Sequence, residues 1–295
     1  MSFKTFDPSQ MEVPEVQAML LTGIAPRPIA LASTIDINGN VNLAPFSFFN
    51  AFSANPPILC FSASRSGRTG ETKDTYKNLK EVPEVSINIV EYSMVHQISF
   101  ASSEFPRGVN DFIKSGLTEA PNIKIKPPRV LESPVSYECK VNQVIELGNG
   151  KGSGNLFICE VINIHVNEKI LNAANRIDPL LINQVSRCGG PYYGQVEANR
   201  LFPITQPQAN LGIGVDTLRE DIRNSLVLTG NNLGQLALNQ TLPSEDEIIE
   251  FKTTESFKYL NSFIGEERIM QFHKAAHEML NNYNIRLALI CLYSY

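Results

Sequence analysis

The sequence predicts a mainly β domain closed into an antiparallel barrel, followed by a mainly helical extension. Three observations lead there. Up to residue 197 the chain is a succession of short apolar or alternating runs separated by turn signals. No alternation of strand and long helix appears, as a parallel sheet would need. After residue 198 the apolar period changes from about two to that of a helix. The expected domains are therefore 1–197 and 198–295.

Taken in order, "PIALASTI" (28–35) is a continuous apolar strand, and the Asn38-Gly39 pair of "DINGN" is a hairpin signal. "VNLAPFSFFNAFS" (41–53) reads as a second strand, with Phe46, Phe48 and Phe52 on one face and Ser47, Phe49 and Ala51 on the other. "PPILCFSAS" (56–64) is a third. "KDTYKNLKE" (73–81) is short and polar, with Tyr76 and Leu79 on one side, as in a two-turn helix. "EVSINIV" (84–90) alternates Val85, Ile87 and Ile89 with Ser86 and Asn88, the pattern of a half-buried strand. "SMVHQISFASS" (93–103) reads as a second short helix.

The cleanest alternation is "PVSYECKVNQVIEL" (134–147). Val135, Tyr137, Cys139, Val141 and Ile145 share one face, and Ser136, Glu138, Lys140 and Asn142 the other. "NLFICEVINIHV" (155–166) returns as a strand apolar on both faces, placing His165 with Phe157, Cys159 and Val161. The glycine run between them, "GNGKGSGN", joins two strands. A dinucleotide fingerprint must open a helix with G-x-G-x-x-G, so a hairpin tip is the better reading. In the extension, 215–240 and 244–251 read as helical, and Ile269, Phe272, Ala276, Met279, Leu280 and Tyr283 recur at helical spacing.

Composition bounds the function. With 43% apolar and 19% charged residues and a formal net charge of -5, the chain reads as soluble and globular, and its mild acidity argues against a nucleic-acid partner. It shows neither a signal peptide nor an 18-residue apolar run, so a cytoplasmic location and no membrane partner are expected. The five cysteines, Cys60, Cys139, Cys159, Cys188 and Cys291, are scattered, as free thiols in a reducing compartment would be. His273 and His277 are four apart, but no third ligand accompanies them, and no metal site is expected.

One basic stretch stands out in this acidic chain. "SASRSGRTGETKDT" (62–75) packs three Ser, three Thr, two Gly, two Arg and a Lys between the end of a strand and the start of a helix. Such a junction offers unpaired backbone N–H groups and the positive end of a helix dipole. Ser62, Ser64 and Thr75 supply hydroxyls, and Arg65 or Lys73 a charge, for an anion such as a phosphate. Asp74 would instead cap the helix. A solvated loop with a helix cap is the alternative reading. Nearby, Asn42, Ser47 and Asn50 are costly to bury unpartnered, and a planar heteroaromatic ligand would satisfy them.

The ordered set "RPIALAST", "NLAPFSFFNAFSANPPILCFS", "KDTYKN", "KPPRVLESPVSYECKV", "EVINIHV" and "RCGGPYYG" resembles the flavin reductase-like, FMN-binding split-barrel family, over about residues 16 to 197. The resemblance implies a Greek-key split barrel, a homodimer, and FMN held near the dimer interface. The strand with Asn42, Ala44, Pro45, Phe46, Ser47 and Phe48 would line the flavin ring. The loop with Ser62, Ser64, Arg65, Lys73, Asp74 and Thr75 would take the phosphate. It also implies a place for His165 beside cofactor or nicotinamide, the candidate catalytic residue. The activity implied is transfer of electrons from NADH or NADPH through FMN to a free flavin or other small acceptor. The alternative is a flavoredoxin-like electron carrier that serves a protein partner and has no nicotinamide activity.

Overall fold

The structure is a computed structural model describing residues 1–204 and 211–295. It contains two compact units, Met1–Leu201 and Phe202–Tyr295. Residues 205–210, which the extension expected over 198–295 includes, lie outside the described residues.

The first unit has twelve strands in chain order. They are β1 (Arg27–Pro28), β2 (Ala30–Ile35), β3 (Val41–Phe46), β4 (Phe49–Ala54), β5 (Pro57–Ser62) and β6 (Glu84–Ile89), then β7 (Glu119–Ala120), β8 (Arg129–Val130), β9 (Val135–Glu146), β10 (Asn155–Val166), β11 (Val185–Gly189) and β12 (Tyr192–Gln195). Helix α1 (Val13–Gly23) precedes them; α2 (Asp74–Glu81), α3 (Val95–Phe100) and α4 (Asp111–Ser115) lie among them.

Seven strands form one antiparallel sheet in the order β3-β2-β6-β9-β10-β5-β4. Its two edge strands are consecutive in sequence, joined only by Ser47 and Phe48. Three residue steps span at most about 10 Å, so the sheet must curl until its edges nearly meet. The interior confirms the curl: Phe46 of one edge lies 5.4 Å, ring to ring, from Phe61 of β5, which stacks at 4.9 Å on Phe157 of β10. Ala30, Ala32, Val85, Ile87, Cys139 and Cys159 complete this core. The chain is a split β-barrel. A second core covers the outside of β2 and β3, where Leu31 and Leu43 pack under Met94, Ile98 and Phe112 near α3 and α4.

The glycine run is the β9–β10 hairpin tip, with Glu146 opposite Asn155. Three expectations differ from what forms. "VNLAPFSFFNAFS" is two strands, not one, because the chain crosses from one barrel edge to the other at Ser47–Phe48. Hence Phe46 and Phe49 both pack on the barrel core, whereas Phe52 is 68% exposed. β6 is buried on both faces. Asn88 tolerates this because its amide donates to the Leu31 and Ser86 carbonyls and accepts from the Val130 N–H and the Ser136 hydroxyl. β9 likewise buries Ser136 and Glu138, under the 121–127 segment.

The second unit contains α5 (Glu220–Arg223), α6 (Gly230–Ala237), α7 (Glu245–Lys252), α8 (Glu255–Asn261), α9 (Gly265–Asn281) and α10 (Ile285–Leu292). The span 215–240, read as helical, forms only two short helices, α5 and α6; Thr229, whose hydroxyl accepts the Asn232 N–H, starts the second. The stripe Phe272, Ala276 and Leu280 is buried against Leu289, Cys291 and Leu236 of the same unit, so the extension has its own core. His273 bridges Ser225 and Tyr295, and His277 meets Asn232, so each imidazole already has a partner. All five cysteines are free thiols. Among the described residues no helix is long and apolar enough to cross a membrane.

Candidate functional site

A cavity of about 540 Å³ opens beside the gap between β3 and β4. One wall is Asn42 to Phe48, the end of β3 and its crossing to β4. The opposite wall is the loop leaving β5 and entering α2: Ser62, Ser64, Ser66, Thr69, Glu71, Thr72, Lys73, Asp74 and Thr75. Gln17 and Leu21 of α1 and the segment 101–105 border it, with Arg107 and Asp111.

The two walls differ chemically. Pro45, Phe46 and Phe48 present an apolar surface. The loop presents polar side chains, hydroxyls above all (Ser62, Ser64, Ser66, Thr69, Thr72 and Thr75), with the Lys73 ammonium at the residue just before α2. The walls are tied together: the Asn42 amide donates to the Thr75 hydroxyl at 3.0 Å. The Ser66 backbone pairs with Glu71 and Gly70, closing the loop on itself. Asp111 is buried and accepts the Leu43 N–H at 2.8 Å; burial pushes its carboxyl above the ordinary range.

Eleven of the thirteen residues expected from sequence line this cavity: Asn42, Ala44, Pro45, Phe46, Ser47, Phe48, Ser62, Ser64, Lys73, Asp74 and Thr75. Asp74 does not cap α2 as expected; its carboxylate accepts from Lys77 at 2.9 Å, one turn along. The structure does not bring Arg65 to the cavity. Its guanidinium turns to Glu146 at the end of β9, 3.6 Å away, and to the Gly70 carbonyl.

Nor does it bring His165 there. The β5 end at Ser62 pairs with Leu156, and His165 lies nine residues further along β10, about 30 Å at strand rise. Its Nε2 lies 2.6 Å from Glu138, which is fully buried. Glu138 also accepts the backbone N–H groups of Ile123, Lys124 and Ile125 and the amide of Asn163. Burial raises its pKa, but these donors outweigh it and hold the carboxyl at about 2. In this arrangement His165 helps to anchor a buried carboxylate that pins the 121–127 segment. Sequence alone missed Asp111, Glu104 and α1 as cavity residues, because each comes from a segment remote from the loop.

Residues 22–190, more than half of the chain, match the family model described as "Flavin reductase like domain". The chain belongs to the flavin reductase-like family. The matched region lies within the first unit. An uncharacterized protein of Aquifex aeolicus is 35% identical over 176 residues, covering 59% of this chain and 87% of that protein. Among solved structures, nitrilotriacetate monooxygenase component B from Bacillus cereus is 27% identical with a TM-score of 0.63, covering 70% of this chain and 99% of that one. The 2-nitrobenzoate 2-nitroreductase of Pseudomonas fluorescens shares the fold at 23% identity and the same TM-score, covering 72% and 100%.

Proposed function

We propose that this flavin reductase-like chain binds FMN in the cavity and passes electrons from NADH or NADPH to a free flavin or another small acceptor. The observation that carries the reading is the two-ended cavity: an apolar wall at 42–48 edged by Asn42 and Ser47, and a hydroxyl-rich loop with Lys73 opposite. Its volume falls in the usual range for a small-molecule or cofactor site. Family membership supplies the class of cofactor.

The residues fit that cofactor by their donor set. Ser62, Ser64 and Thr75 offer hydroxyls and Lys73 a charge-assisted donor, which suits a terminal phosphate. Pro45, Phe46 and Phe48 would face the ring system, with Asn42 and Ser47 at its polar edges. When bound, FMN supplies the redox chemistry, so the chain's share is binding, orientation and exclusion of water.

The working unit in this reading is a homodimer. No residue of α1 is buried, and its Met19 and Leu20, with Ile24 just past its end, are apolar and exposed. The same helix reaches the cavity through Gln17 and Leu21, and exposed Phe48 adjoins it there. A second copy seated on α1 would cover this surface and complete the rim of the site. The free thiols suit a cytoplasmic setting.

Steady-state oxidation of NADH and of NADPH with added FMN or riboflavin tests the activity. Turnover with either nicotinamide is expected. A protein that holds FMN yet oxidises neither would favour the electron-carrier alternative, and a protein that neither holds nor reduces flavin would overturn the proposal.

A further inference from the structure

The three cationic side chains that line the cavity are already engaged by carboxylates. Lys77 pairs with Asp74 at 2.9 Å, Arg107 with Glu81 at 3.0 Å, and Lys73 with Glu104 at 2.5 Å. The third pair differs from the others. Asp74 and Glu81 both belong to α2, while Glu104 reaches in from the separate segment that follows α3. Glu104 also binds a second cation, with Arg68 at 3.1 Å. One carboxylate therefore engages both Lys73, which lines the cavity, and Arg68, the next cation of the same loop.

Its surroundings permit release. Half of the Glu104 side chain is exposed, and Arg68 is almost wholly so. The segment carrying it ends in Pro106 and Gly108, whose φ of +87° is a conformation open to glycine at little cost. Exposed ion pairs are weak, whereas hydrogen bonds from ammonium or guanidinium to phosphate are among the strong ones. Breaking the exposed resident pairs therefore costs little, but that cost is subtracted from the phosphate's binding.

We propose that Glu104 is a resident counter-anion at the phosphate end of the site. It holds Lys73 and Arg68 together until a phosphate displaces it, and it thereby sets the affinity for phosphorylated flavin without touching that for riboflavin. The proposal rests on the FMN reading for its natural ligand, but not for its mechanism, because any phosphate should make the same exchange.

Glu104→Gln keeps the shape and removes the charge. Fluorescence titration should show this variant binding FMN about three- to tenfold more tightly than wild type, with riboflavin unchanged. The gain should vanish in a Lys73→Ala background, which a general effect on folding or on the ring end would not produce. Inorganic phosphate, followed by its protection of the protein against thermal unfolding, should likewise favour Glu104→Gln. FMN affinity that is unchanged or weaker in the variant, or a parallel change for riboflavin, would overturn the proposal and leave the FMN reading standing. If no flavin binds, but inorganic phosphate protects the variant more than wild type, the counter-anion stands and the FMN reading falls. If the variant shows no gain with either probe, the counter-anion is refuted.

Discussion

Replacing Glu138 by Gln should cost the first unit much of its stability, and the cost should depend on pH. The carboxylate is fully buried and accepts five hydrogen bonds, three from the backbone of 123–125 and two from Asn163 and His165. A glutamine must turn its NH₂ toward donors whichever way it is flipped. The Glu138 carboxyl is held at about 2, against 4.5 for the free group. At about 1.4 kcal/mol per tenfold, that difference is about 3 kcal/mol. The sign follows from the lowered pKa: the stabilisation is complete above pH 4.5 and is lost as pH falls toward 2. Glu138→Gln should therefore lie about 3 kcal/mol below wild type at pH 7, with the gap closing below pH 4.5. Hydrogen exchange in rising urea, read on peptides from β9 and β10, reports the first unit separately from the helical one. A gap under about 1 kcal/mol at pH 7, or an equal gap at pH 7 and pH 3, would refute this account of the buried carboxylate.

Other outcomes follow from the cavity. Lys73→Ala should weaken FMN binding by about 1.5–3 kcal/mol, about ten- to a hundredfold, with riboflavin little affected, as titration would show. Thr75→Ala should act in the same direction, since it also loses the tie to Asn42; unchanged affinity in both variants would place the site elsewhere. Arg65→Ala should leave FMN affinity within about twofold, because Arg65 faces Glu146 and not the cavity, and a large loss would contradict that placement. Leu20→Glu should give a monomer by light scattering if a second copy covers α1, and an unaltered mass would reject that interface.

Much of the barrel was legible because strand identity depends on local alternation and turn chemistry, which "PIALASTI", "DINGN" and the 134–166 hairpin carry openly. The cavity loop was legible for a related reason: its composition departs from the acidic chain around it. What sequence hid was long-range. The break at Ser47–Phe48 exists because the barrel's two edges meet there, and nothing in "NLAPFSFFNAFS" marks it. His165 follows the apolar face of β10 by counting, but register shifts at Ile158/Cys159 and Val161/Asn163 disturb the count, and its partner Glu138 lies 27 residues away. Arg65 and Lys73 looked interchangeable as cations; Glu146, on a distant strand, claims the first. Glu104 was invisible for the same reason.

The central claim is that the cavity between 42–48 and 62–75 holds FMN by its phosphate, and a paired titration of the purified protein with FMN and riboflavin, followed by flavin fluorescence, tests it most directly. The account predicts FMN binding at least about tenfold tighter than riboflavin, a margin set by one charge-assisted hydrogen bond. Equal affinity for the two flavins would contradict it.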